Sequence, residues 1–435
     1  MIIDHHPFTV NDQNNLVIGG TDATELAKKY GTPLYVYDVA LIRQNARKFI
    51  QAFEKLGVKS KVAYASKAFS CIAMLQVAKQ ENLHLDVVSE GELYTAMKAD
   101  FPAARIHLHG NNKSKDELQM AVDQQIGCIV IDNFHEIELL EEVLEEADKK
   151  IDVLIRVTPG IELNTHQYIM TGNEDSKFGF NLVNGQAEEA FKLLHNHNRI
   201  NLRGLHCHIG SQIFETEGFT VAIKLLYEYI EKWHDDFNYI PEVLNLGGGY
   251  GIRYTENDTP IELDVYVKEM VKAVQENSEK LNIDLPEIWI EPGRSIVGNA
   301  GISLYTIGSS KEIPGIRSYL SVDGGMADNI RPALYEARYD AVIANKVKEK
   351  VEGEVAIAGK CCESGDMLIW DLPLPKAEPG DILAVFATGA YGYSMASHYN
   401  RLAKPAIVFV ENGIDRLVVK RESLDDIVKN DLSYE

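Results

Sequence analysis

The sequence predicts a (β/α)8 barrel followed by an all-β domain, and three observations carry that prediction. Eight short apolar runs lie between residues 61 and 290, with helical patterns separating most of them. Polar residues collect immediately after these runs. Beyond Arg294 the helical spacing gives way to short β patterns divided by Gly, Pro and Asp. Crossover helices imply parallel strands, and eight strand–helix units over about 250 residues have the size of a closed barrel. An open doubly wound sheet is the alternative. The barrel is preferred because it gathers all the polar strand ends on one face, where an open sheet would string them along an edge.

In chain order, residues 1–36 form a lead-in with an apolar run at Leu16-Val17-Ile18 and a helical pattern over 23–29 that Gly31-Thr32-Pro33 ends. It is expected to pack with the β domain. The barrel is assigned to 37–294, with strands over 61–66, 83–88, 105–109, 128–132, 152–157, 202–209, 243–246 and 287–290. Helices are expected over 71–80, 115–124, 134–149, 186–195, 218–234 and 265–280. The strand ends then present Lys67, Ser89-Glu90, His109, Arg156, His208, Gly247-Gly248-Gly249 and Glu291. Residues 295–435 form the second domain, with β patterns over 302–307, 318–322, 341–347, 355–358, 382–387, 406–410 and 416–419.

Composition narrows the function. At 435 residues the chain exceeds what one core usually serves, and 45% hydrophobic with 25% charged residues is a globular balance. A formal net charge of -22 disfavours nucleic acid and anionic membrane as partners, since both select basic surfaces. The opening Met1-Ile2-Ile3-Asp4-His5-His6-Pro7 has no basic segment leading into an apolar stretch, and no apolar run reaches membrane-spanning length. A cytoplasmic protein acting on a small molecule is expected. Cys71, Cys128, Cys207, Cys361 and Cys362 are odd in number and irregular in spacing, which argues against a disulfide framework.

Four strand ends carry candidate chemistry. Lys67 brings an amine to the end of the first strand; its plain alternative is a solvated lysine. Gly247-Gly248-Gly249 allows backbone amides to approach an anion after the seventh strand, a common phosphate position in barrels, or else makes a tight turn. The run has neither a Walker lysine nor the Gly-x-Gly-x-x-Gly dinucleotide pattern. Glu291 could keep a heteroaromatic nitrogen protonated, or pair with Arg294 on the surface. His206 and His208 share a strand face and read as core histidines, a metal pair, or a ring stacked on a flat cofactor.

An amine, a phosphate cradle, a carboxylate for a ring nitrogen and a flat imidazole are the handles pyridoxal 5'-phosphate needs, with Lys67 as the Schiff-base amine. Gly359-Lys360-Cys361-Cys362-Glu363-Ser364-Gly365-Asp366 adds a thiol able to reprotonate Cα after decarboxylation, or is a β-turn with a buried cysteine.

Six motifs extend this reading: Tyr64-Ala65-x-Lys67-Ala68, Asp86-Val87-Val88-Ser89-x-Gly91-Glu92, His208-Ile209-Gly210-Ser211, Gly247-Gly248-Gly249, Glu291-Pro292-Gly293-Arg294 and Cys362-Glu363-Ser364-Gly365-Asp366. Over nearly its whole length the chain resembles the fold type III pyridoxal phosphate decarboxylases, and among them the diaminopimelate decarboxylases. Two stretches narrow it: His166-x-Tyr168-Ile169-x-Thr171-Gly172 running into Ser176-Lys177-Phe178-Gly179, and Met326-x5-Arg331-Pro332-x-Leu334-Tyr335. The resemblance implies a barrel of the alanine racemase type and conversion of meso-2,6-diaminopimelate to L-lysine and carbon dioxide, the last step of lysine biosynthesis. It implies Lys67 and Cys362 as catalytic residues. His208, Ser211, Gly248, Gly249, Glu291, Pro292, Gly293, Arg294 and Tyr391 would contact the cofactor. Arg294, Arg331, Tyr335, Glu363 and Tyr391 would hold the substrate. It further implies a homodimer, the Cys362 turn of one subunit reaching the lysine of the other, and no metal.

The charge logic agrees: a distal carboxylate and ammonium call for arginines and a carboxylate, and bidentate arginine suits the first. Phe69, where the family often has asparagine, and Lys360-Cys361, in place of a smaller or proline-containing turn, depart from the pattern. Decarboxylation of another basic amino acid or polyamine precursor is the alternative within the fold. Outside it stand a metal-dependent hydrolase using His206 and His208, a racemase, for which Glu291 is the wrong partner of the ring nitrogen, and a regulatory binder, which would have lost Lys67 or Cys362.

Overall fold

The computed structural model describes residues 2–160 and 176–435. The chain divides into two compact units: a barrel unit of residues 46–251 and 260–293, and a β unit of residues 1–45, 252–259 and 294–435.

In the barrel unit the eight expected strands are present: β1 (Ser60–Ala65), β2 (His84–Val87), β3 (Ile106–Leu108), β4 (Cys128–Ile131), β5 (Ile151–Thr158), β6 (Ile200–His206), β7 (Val243–Asn245) and β8 (Glu287–Ile290). Each pairs in parallel with the next. Ile288 of β8 pairs with Ser60 of β1 and closes the sheet. Parallel strands covered on both faces read as continuous apolar runs, and Cys128-Ile129-Val130-Ile131 is buried at every position. Cys128, Val130, Leu154, Val243 and Trp289 pack together.

Local sequence starts the crossover helices. Ser89, Ser114 and Asn133 cap Glu90–Lys98, Lys115–Asp123 and Phe134–Ala147 by accepting the N3 amide, and Ser114 with Glu117 completes a capping box. The strand β6 carries a bulge between Leu202 and Gly204, where a Cβ on Gly204 would lie 1.8 Å from the Val243 carbonyl oxygen. Glycine is the only residue that lets β6 approach β7 there.

The β unit is built on Gly301–Ile313, a long strand whose register shifts between Ile307 and Ser310. Its first half pairs with Ile382–Val385 and Leu34–Asp38, its second with Arg317–Val322. Leu34–Asp38 also runs parallel to Ala406–Glu411, so the amino-terminal segment is a central strand of this sheet. Leu16, Ile18 and Leu26 join Ile302, Phe386 and Val408 in one buried cluster, and Tyr254, Tyr305, Ile357 and Leu383 fall in a second. The strand Met367–Leu374 is additional to the expected set, because Asp371 and Pro373 break its apolar alternation. No helix among the described residues is long and apolar enough to cross a membrane.

Candidate active site

Lys67 leaves the end of β1 on a single 3-10 turn, Ser66–Ala68, between two buried neighbours. Its side chain is 45% exposed and its Nζ lies 4.0 Å from Oδ2 of Asp86 on β2. Burial pushes the Asp86 carboxyl up, against the pull of His109 and Lys67. Tyr64 donates its hydroxyl to the Phe69 carbonyl over 2.7 Å, so the turn is tied back to the strand that precedes it. Phe69 is fully buried, which gives this departure a packing role.

Glu291 ends β8 as a buried carboxylate inside the barrel. Nε2 of His109 is 3.0 Å from its Oε1, Nε2 of His206 is 3.1 Å from its Oε2, and Asn245 donates Nδ2 to Oε1. Burial opposes ionisation of Glu291, yet the two imidazoles outweigh it and hold the group well below the usual carboxylate range. Burial in turn holds His206 down at about 4, so it donates to Glu291 as a neutral imidazole. His109, His206 and Glu291 bring their ligand atoms within 4.8 Å of one another, as a metal site would. His206, however, hydrogen-bonds the carboxylate through Nε2, which occupies that nitrogen with a proton.

Around this acid the glycine run makes close backbone approaches. A Cβ on Gly248 would lie 2.3 Å from the Glu291 carbonyl oxygen, and one on Gly249, at φ +110, would lie 2.4 Å from that of Gly210. Gly248 donates its amide to Nδ1 of His208 over 3.1 Å, which fixes that ring after β6. Burial, and then the Lys67 and Arg156 charges, keep His208 well below its usual range. Pro292 accepts from the Ala65 amide over 3.1 Å, and a Cβ on Gly293 would lie 3.0 Å from the side chains of Ala65 and Ala68. The loop of Pro292 and Gly293 is thereby seated beside the Lys67 turn. Ser211 sits half-buried in the loop after β6.

A carboxylate offers about four lone-pair directions. His206 and Asn245 take two, His109 lies within 3.0 Å of the same carboxylate, and room remains for a pyridinium N–H, with a lysine amine and a glycine-lined approach in the same unit. These residues fit pyridoxal phosphate.

The β unit holds a second cluster. Arg294 and Arg331 are both buried. Arg294 lies over the Tyr391 ring at 4.8 Å, and Tyr391 has a left-handed φ of 59. Arg331 starts the short helix Arg331–Tyr335, which places Tyr335 half-buried one turn on. Cys362 and Glu363 lie on an exposed turn elsewhere in this unit. That turn is held from below by buried Asp366, which accepts the Cys361 amide over 2.7 Å and the Met326 amide over 2.6 Å. Asn400 accepts the Cys362 amide over 2.7 Å. The Lys360-Cys361 departure therefore buries Cys361 under the turn and leaves Cys362 outward. The motif over 166–172 lies outside the described residues.

Asn245, Tyr254, Tyr339 and Asn400 escaped the sequence reading. Asn245 could have been found: it stands two residues before the glycines, on the strand face that points at Glu291.

The pattern of the family described as "Pyridoxal-dependent decarboxylase, pyridoxal binding domain" matches residues 39–298. The chain is 60% identical over 430 residues to a diaminopimelate decarboxylase of Bacillus subtilis, covering 99% of this chain and 98% of the relative. Among solved structures, diaminopimelate decarboxylase from M. jannaschii in complex with L-lysine superposes with a TM-score of 0.92 at 32% identity, covering 100% of this chain and 99% of that one. The Helicobacter pylori enzyme complexed with L-lysine gives 0.85 at 31% identity over 94% and 98%.

Proposed function

The chain belongs to the pyridoxal-dependent decarboxylase family, and from that premise we propose how its residues remove carbon dioxide from the D-centre of meso-2,6-diaminopimelate and release L-lysine. Pyridoxal phosphate, when bound, supplies the electron sink that stabilises the carbanion left at Cα. Lys67 would anchor it covalently. His208 would lie against its ring, and Gly248, Gly249, Ser211, Pro292, Gly293, Arg294 and Tyr391 would contact its phosphate side. Glu291 would keep its ring nitrogen protonated. The single observation that carries this reading is Glu291, a buried carboxylate hydrogen-bonded by His206 and Asn245 with His109 beside it and room left for one more donor.

Selectivity comes from the β unit. Arg294, Arg331 and Tyr335 receive the distal carboxylate, Glu363 receives the distal ammonium, and Tyr391 touches substrate as well as phosphate. Ornithine lacks the distal carboxylate and would leave two buried cations unmatched, a costly arrangement. Cys362 delivers the proton to Cα once carbon dioxide has left. Its exposure suits a homodimer in which Cys362 and Glu363 reach the Lys67 site of a second copy.

The test is an absorbance spectrum before and after borohydride, then addition of meso-diaminopimelate and assay of lysine. A borohydride-sensitive visible band with lysine released is expected. A band without lysine would return the substrate to other basic amino acids. Cys362→Ala is expected to keep the band and lower turnover about 100-fold, the scale of a lost general acid. Unchanged turnover in that variant would transfer the proton to another donor.

A further inference from the structure

We infer that Tyr254 is the positioning residue that sets Arg294 and Arg331 as a paired receptor for a carboxylate; this rests on the substrate role given to those arginines above. The barrel sequence contributes residues 252–259 to the β unit directly after the glycine run. That excursion carries Tyr254, which is 5% exposed. Oδ2 of Asp258 accepts from the Tyr254 and Thr255 amides, each over 2.9 Å, so the loop is fixed by its own carboxylate.

One ring meets both cations. The Arg331 guanidinium lies 4.9 Å from the Tyr254 ring centroid and that of Arg294 lies 5.7 Å from it. Arg294 Nη1 donates to the Tyr254 hydroxyl, and Arg331 Nη1 to the Tyr339 hydroxyl. The two phenol rings meet edge to face at 5.4 Å and 84°. Burial pushes the Tyr254 phenol up, but the two guanidiniums outweigh it and leave it below its usual range.

The choice of partner matters chemically. Two buried guanidiniums repel each other and must be compensated. A carboxylate between them would neutralise the pair and compete with an incoming anion. A tyrosine face attracts each cation through its quadrupole without cancelling its charge, so both remain available to one ligand carboxylate. Ligands without that group leave the pair unsatisfied, and Tyr254 thereby contributes to selectivity through the arginines.

The experiment uses the holoenzyme with Tyr254→Phe, which keeps the ring and removes the hydroxyl, and Tyr254→Leu, which removes both. The Michaelis constant for meso-diaminopimelate is expected to rise about 10-fold in Tyr254→Phe, the scale of one hydrogen bond to a charged group. In Tyr254→Leu the rise is about 100-fold, since the cation–ring contacts go as well. Turnover at saturation stays within about threefold and the visible band is kept, because the loss is of ground-state and transition-state binding alike. Arg331→Ala is the reference, with a rise of about 100-fold. An unaltered constant in Arg331→Ala would remove the substrate role itself. A rise in Arg331→Ala without one in Tyr254→Phe would overturn the inference and leave that role standing. A fall in turnover and melting temperature in Tyr254→Phe at constant Michaelis constant would also overturn it, as the mark of a merely structural tyrosine. If Tyr254→Leu does not fold, Tyr254→Phe alone decides.

Discussion

Lys67→Ala is expected to abolish the borohydride-sensitive visible band and to lower lysine formation on the order of 10^4-fold or more, the scale at which loss of a covalent group is felt. The effect is chemical and leaves the fold in place. The lysine side chain is 45% exposed, and the Asp86 carboxylate 4.0 Å from its Nζ keeps His109 as a second partner at 3.7 Å when the amine is removed. The buried members of its turn, Ser66 and Ala68, keep their places. Its melting temperature should therefore stay near that of wild type without cofactor. A visible band surviving in Lys67→Ala would move the anchor to another amine.

The barrel was legible in the sequence because parallel strands covered on both faces leave uninterrupted apolar runs, and Cys128–Ile131 and Glu287–Ile290 are plain cases. Division into units was less so. Leu34–Asp38 straddles the boundary drawn at residue 36, and the whole strand is hydrogen-bonded between Gly301–Ile313 and Ala406–Glu411. Nothing local distinguishes a strand bound for one sheet from a strand bound for another. The same holds for residues 252–259, which continue the barrel in sequence and belong to the β unit in space. Tyr254 was invisible for that reason.

Within the site, residues whose chemistry is their own could be read directly: the Lys67 amine, the Glu291 carboxylate, the Gly248 approach. Residues that act by holding another could be placed on their strands but not matched to the group they hold. His109 and Asn245 lie on β-strand ends or strands far from Glu291 in sequence, and only the closed barrel turns them toward one carboxylate. His206 is the instructive case. As one of a pair with His208 it suggested a metal, but the structure separates the two: Nε2 of His206 faces Glu291, while Nδ1 of His208 accepts the Gly248 amide.

That separation sets the second large prediction. Glu291→Gln keeps the shape of the side chain and removes its charge. Turnover is expected to fall about 10^3-fold, as when a preorganised electrostatic partner of the reacting group is lost, while Lys67 still gives a visible band. The amide would also turn an NH2 toward at least one of two groups that already donate, His206 to one oxygen and Asn245 to the other. A buried donor left without an acceptor costs roughly 1–3 kcal/mol, so a lower melting temperature accompanies the lost turnover. The pH dependence carries its own sign. Glu291 titrates well below its ordinary value of 4.5 in the folded chain, so its contribution to stability is complete above 4.5 and is lost as pH falls below it. Glu291→Gln has no such contribution to lose, and its melting temperature should fall less steeply than that of wild type through the same acid range. A variant with wild-type turnover would remove Glu291 from the ring nitrogen, whatever the melting curves show.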